Sequence, residues 1–149
     1  MIDIRSILKG KTIILCLGNP DRGDDGAGPA IANAIKESSD YEVIDAGMTP
    51  ENYTGIIIKS EPDTIIIIDA VLFEGKPGDV RLFSGEDLRS GKISTHDVSP
   101  KLLIQYLKES IRADIYILGI HPKSNKLGEG LSEEVKKAVG EIILHLTPA

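Results

Sequence analysis

Three groups of side chains in this sequence are of the types, and at the spacings, that suit metal-assisted or acid–base chemistry. The first is the run Gly18-Asn19-Pro20-Asp21-Arg22-Gly23-Asp24-Asp25-Gly26-Ala27-Gly28-Pro29, dense in glycine and carboxylates. The second is Asp69, placed directly after Ile65-Ile66-Ile67-Ile68, and the third is His96 in Ser94-Thr95-His96-Asp97. Two carboxylates and an imidazole form a mixed oxygen and nitrogen donor set with open positions. That set suits Zn, Ni, Co or Mn better than Ca, which takes more oxygens. Asp69 weighs toward function, because a charge at the mouth of a buried strand is costly unless it is paired or metal-bound. Asp24 and Asp25 have a plainer reading as helix caps worth ~1 kcal/mol each, but one cap uses one side chain. His96 by itself is an ordinary loop residue and gains weight only beside Asp25 and Asp69.

Other polar residues fall near the same expected edge. Asn19 follows the first strand, Asp45 closes Tyr41-Glu42-Val43-Ile44-Asp45, and His121 precedes Pro122 after another strand. An Asx turn accounts for Asp45 slightly better than chemistry does. His145 lies near the end of the last helical pattern, where a cation is mildly favourable. Several other schemes fail on sequence alone. The acidic loop has no Lys-Ser or Lys-Thr pair for a P-loop, and its glycines do not follow a G-x-G-x-x-G order. There is no G-x-S-x-G elbow, no Asp-Thr-Gly loop of an aspartic protease dyad, and no His close to Cys16.

The elements that must hold these residues follow from hydrophobic periodicity. Thr12–Leu17 and Thr64–Ile68 are apolar on both faces, as central strands of a covered sheet should be. Tyr41–Asp45 and Asp114–Ile120 also read as strands, and Asp79–Phe83 alternates like a half-exposed edge. The short link from Asp69 to Asp79 has little room for a crossover helix, so that edge pairs antiparallel. Ala27, Ala30, Ile31, Ala34 and Ile35 share a helical face, with Pro29 in the first turn. Thr49 reads as the cap of a helix running to about Lys59, and residues 84–95 read as a polar connection. Ser99-Pro100 opens a helix with Leu102, Leu103, Tyr106, Leu107 and Ile111 on one face, and Ser132 caps the last. About five strands alternating with about four helices predict one domain over 1–149. Its fold class is α/β: a three-layer α/β/α sandwich whose mostly parallel twisted sheet has one antiparallel edge strand. Ligands of such a sheet bind beyond the strands' C-terminal ends.

Composition narrows the function classes. A formal net charge of −6 with no basic stripe argues against nucleic acid as a partner. No apolar stretch approaches the ~20 residues of a membrane span. The first residues lack a secretory pattern, and the lone Cys16 fits a reduced compartment, so a cytoplasmic protein is expected. No exposed apolar stripe demands a partner subunit, which points to a monomer.

The motifs in their order, Gly18-Asn19 through Gly23-Asp24-Asp25-Gly26 to Gly28-Pro29, then Val43-Ile44-Asp45-Ala46-Gly47 with Pro50-Glu51-Asn52, then Ile68-Asp69-Ala70 and Thr95-His96, resemble the nickel–iron hydrogenase maturation endopeptidases. The branch that processes the large subunit of hydrogenase 3 of formate hydrogenlyase is the most similar. The resemblance spans about Thr12 to Pro122, and it implies an endopeptidase that removes a C-terminal extension from the large-subunit precursor after nickel insertion. It implies that Asp25, rather than Asp24, is the metal-contacting carboxylate, with Asp69 and His96 as its companions in metal binding and catalysis. Nickel would be carried by the precursor, and other divalent ions such as Zn or Cd would fit the same donors. Asn19, Asp45 and His121 would stand behind them. His121 departs from the Gln often found there. Two rivals stay in view, a zinc-dependent hydrolase of small substrates and a nucleotide-binding α/β module.

Overall fold

A computed structural model describes residues 3–91, 93 and 99–148. Its strands are β1 Thr12–Leu17, β2 Glu42–Gly47, β3 Thr64–Ala70, β4 Val80–Ser84 and β5 Asp114–Ile120, joined in one sheet in the order β2-β1-β3-β5-β4. All neighbouring pairs run parallel except β4 with β5, so the expected antiparallel edge is present. Every residue of β1 and β3 is buried. These strands are continuous apolar runs because both faces of the sheet are covered.

Period-two alternation divides the isoleucines between two cores. Ile14, Cys16, Ile66 and Ile68 pack with Leu118 beneath helices α1 Ala27–Ile35 and α5 Glu133–Leu146. Ile13, Leu15, Ile65 and Ile67 pack on the opposite face under α2 Thr54–Ser60, α3 Gly85–Arg89 and α4 Ser99–Ser110. Three layers result, as expected. The chain leaves β1 toward β2 over one face and leaves β3 toward β5 over the other, so β1 and β3 flank the point where strand order reverses. A crevice opens at the C-terminal ends of strands at such a point.

Two local expectations change. Residues 84–95 are not merely a polar connection, for they contain α3. Ser84 and Asp87 form a reciprocal capping box there, each side chain meeting the other's backbone N–H at 3.3 and 3.0 Å. Buried Leu88 and Ile93 tie this segment to the core. Thr49 makes no side-chain cap; Pro50–Tyr53 is instead a 3₁₀ turn leading into α2. Strands β2 and β3 also extend two residues beyond their expected ends, which places Asp45 and Asp69 inside strands.

Candidate active site

The acidic loop is shaped by close backbone approach. Gly18 has a φ of +139°, a region that disfavours any side chain, and a Cβ there would run into the Asp25 carbonyl. A Cβ on Gly28 would strike the Leu17 carbonyl and come within 3.0 Å of that of Ile68. The first turn of α1 therefore presses onto the ends of β1 and β3, and the loop between is forced outward over the crevice. Asn19 closes the loop's start as an Asx turn, its Oδ1 accepting the Asp21 N–H at 2.9 Å. Gly23–Gly26 then forms a 3₁₀ turn.

Asp25 and Asp69 are brought together by this geometry. Both line one cleft of about 190 Å³, with Asn19, Arg22, Met48, Pro50 and Pro100 among its walls. The half-buried Asp25 accepts the Asn19 N–H on Oδ2 at 3.1 Å. Among the described residues its Oδ1 has no partner. Asp69, only 5% exposed, accepts the Ala70 N–H on Oδ1 at 2.8 Å. One backbone donor thus fixes each carboxylate's rotation while the side chain faces the cleft. Arg22 was not foreseen in this wall, although a cation inside a run of three Asp residues is itself a signal.

Asp24 turns the other way. It is 1% exposed and caps no helix. Its carboxylate accepts the backbone N–H groups of Lys123 at 2.8 Å, Ser124 at 3.2 Å and Ser132 at 2.7 Å, and the Ser132 hydroxyl at 2.9 Å. Burial pushes its pKa up, but the donors of Ser132, Lys123 and Ser124 together outweigh it and hold the carboxyl below its ordinary value. Asp24 is a staple from the acidic loop to the segment before α5. The pairing of Arg22 with Leu127 reinforces it.

The remaining expected residues are placed unequally. Asn19 is in the cleft wall. Asp45 is exposed on β2 and lines a separate depression with Pro20, Pro29 and Asn33. His121 is half-buried, stacks edge-on against Phe73 with ring centroids 5.2 Å apart, and donates its backbone N–H to Asp79 at 2.9 Å. It does not line the cleft. His96 lies outside the described residues. Cys16 sits beneath the floor in β1, fully buried, its thiol pushed far up by desolvation and by the nearby charges of Asp45 and Asp69. It is no nucleophile.

Two oriented carboxylates are sound donors for a borderline divalent ion. Among the described residues no set of three His, Cys, Asp or Glu side chains converges. Asp25 and Asp69 alone therefore supply part of a coordination shell, which fits a metal that arrives with ligands of its own.

Comparisons with known proteins agree with this layout. The family model described as HycI, hydrogenase maturation protease, matches residues 28–148. The hydrogenase 3 maturation protease of Escherichia coli K12 is 33% identical over 137 residues, covering 90% of this chain and 87% of that protein. The crystal structure of a nickel–iron hydrogenase maturation protease, HycI, from Thermococcus kodakarensis superposes with a TM-score of 0.85 at 29% identity, covering 95% of this chain and 94% of the other. The solution structure of the endopeptidase HycI from Escherichia coli gives 0.80 at 30% identity over 92% and 89%. The likeness takes in the acidic loop as well as the sheet, and on these grounds the chain belongs to the hydrogenase maturation protease family.

Proposed function

We propose that this chain is an endopeptidase that removes the C-terminal extension of a nickel–iron hydrogenase large-subunit precursor, and that nickel carried by the precursor is its recognition signal. The observation that carries the reading is the convergence of Asp25 and Asp69, from two separate strand ends, on one cleft at the switch point of the sheet. Membership of the maturation protease family supports the substrate class. In this reading Asp25, Asp69 and His96 engage the precursor's nickel, which supplies Lewis-acid polarisation at the adjacent peptide carbonyl. Asp25 takes a proton from the attacking water as its oxygen bonds to the carbonyl carbon. The C–N bond then breaks, and the proton passes to the departing amine. The narrow cleft admits an extended chain and excludes most solvent from that exchange.

Mass spectrometry of a mixture with a nickel-loaded precursor tests the reading. Loss of a C-terminal peptide only when nickel is present is the expected result, and it should vanish in the His96→Ala variant. Equal cleavage of the nickel-free precursor would overturn the recognition role. Stoichiometric zinc in protein purified without chelator would favour a permanent metallohydrolase instead.

A further inference from the structure

A second depression of about 400 Å³ lies beside the cleft, between the 3₁₀ turn at Pro50–Tyr53 with α2 on one wall and α4 on the other. Its lining is Glu51, Thr54, Leu102, Leu103 and Tyr106. Leu103 is buried at its base, whereas Leu102 is 63% and Tyr106 50% exposed, a large apolar surface for one turn of an amphipathic helix. The volume is in the range of about 300–1,000 Å³ in which ligand pockets fall. Both walls continue into the cleft, because Pro50 and Pro100 line the cleft while Glu51 and Leu102, one and two residues further on, line the groove. The two form one continuous track from the carboxylates to Tyr106.

We infer that this groove holds the C-terminal extension of the precursor, by seating apolar side chains of that tail on Leu102, Leu103 and Tyr106. The inference rests on the proposed function and names the part of the substrate that the second site grips. A tail of single chain fits a groove one helix-turn wide, whereas a folded body does not. A second copy of this chain is the poorer occupant. An isologous contact would have to fill the groove from the same face of the partner, and that face is itself concave there. Glu51, Thr54 and the Tyr106 hydroxyl at the rim offer hydrogen bonds to an extended backbone. Apolar seating remote from the scissile bond is uniform binding, so it governs KM rather than kcat.

Steady-state cleavage of the nickel-loaded precursor by the wild-type chain, Leu102→Asp, Tyr106→Ala and the control Leu144→Asp tests this. Leu144 is 75% exposed on α5, across the sheet from the groove, so its variant reports only a general effect of added charge. Either groove variant should raise KM roughly tenfold with kcat within about twofold, the scale on which an ill-fitting apolar pocket discriminates. The control should match wild type. A precursor whose extension has its apolar residues replaced by serine should bind as weakly to wild type as to Leu102→Asp, the non-additivity of groups in contact. Unchanged KM in both groove variants, with wild-type cleavage intact, overturns the docking site but leaves the proposed function standing. Absence of wild-type cleavage overturns both. A dimer in light scattering that Leu102→Asp converts to monomer assigns the groove to a second copy and also overturns the inference. Melting temperatures of the two exposed-site variants guard against misfolding, and a variant that fails this check is replaced by Leu102→Ser.

Discussion

At the scale of single residues, adjacent Asp24 and Asp25 have opposite tasks because their neighbours differ. Asp24 is buried under four donors, and an amide in its place would turn two of those contacts into donor–donor clashes. Asp24→Asn should cost roughly 2 kcal/mol, the scale of a buried charge-assisted hydrogen bond lost, read by urea unfolding at pH 7. The acid limb of stability gives a second readout. A carboxyl held below the ordinary Asp value of ~3.9 contributes fully above that pH, and the contribution is lost as pH falls through the lower folded pKa. Asp24→Asn should therefore flatten the loss of stability below about pH 4, and an unaltered acid limb would show that the staple carries no charge dependence. Asp25→Asn and Asp69→Asn should behave the other way. Each amide oxygen can still accept its backbone N–H, from Asn19 and Ala70 respectively, so unfolding should barely change. Precursor cleavage should fall by about 100-fold or more, the scale of a lost general base or metal contact. Cleavage that persists in both variants would remove these carboxylates from the site.

Among the elements, the junction of β1, the acidic loop and α1 carries the site's precision. Gly28 is where α1 meets two strand ends, with the Leu17 carbonyl in the way of any Cβ and that of Ile68 at 3.0 Å. Gly28→Ala raises helix propensity on an exposed helix, yet here it should destabilise by about 1–3 kcal/mol, the range for overpacking against backbone that cannot yield. Because the displaced helix start drags Asp25 with it, cleavage should fall further than stability does; a variant as stable and active as wild type would show that α1 is free to shift. Much of this architecture was legible in the sequence. Strands β1, β3 and β5 advertise themselves because burial on both faces leaves unbroken Ile-rich runs, and the placement of Asp25 and Asp69 at their ends followed from that. Helix α3 was not read, since it is short and polar with Leu88 as its buried anchor, although Ser84 and Asp87 three residues apart are the pattern of a capping box. The Asp24 staple could not be read at all. Its partners lie about a hundred residues away in segments with no periodicity, and only the folded sheet brings them close. Asp45 was misjudged in reach for a related reason: a strand residue's face depends on register, and pairing with Cys16 at the sheet edge turns it to another depression.

For the molecule as a whole, the sole thiol reports how the layers come apart. Cys16 is paired on one side with Asp45 of β2 and on the other with Ile68 of β3, and α1 covers its side chain together with Ile66 and Leu118. No local opening of a loop or terminus uncovers it; the central sheet has to separate. Its raised pKa adds that the folded protein presents no thiolate near neutral pH. Labelling by a disulfide reagent at pH 7 should therefore proceed only through global unfolding. The opening free energy from labelling should equal that from urea unfolding, with the same denaturant slope. Raising the pH adds a second effect. The unfolded chain releases the thiol proton near its ordinary value of ~8.5 while the folded chain retains it, so this group's contribution to stability is whole below that pH and declines above it. A Cys16→Ala variant should lose that alkaline decline, beyond the uniform cost of the smaller side chain. Fast labelling without denaturant would mean that β1 separates from β2 or β3 in the native state. Asp25 and Asp69, which hang from the ends of β1 and β3, would then be held by a sheet looser than its buried isoleucines imply.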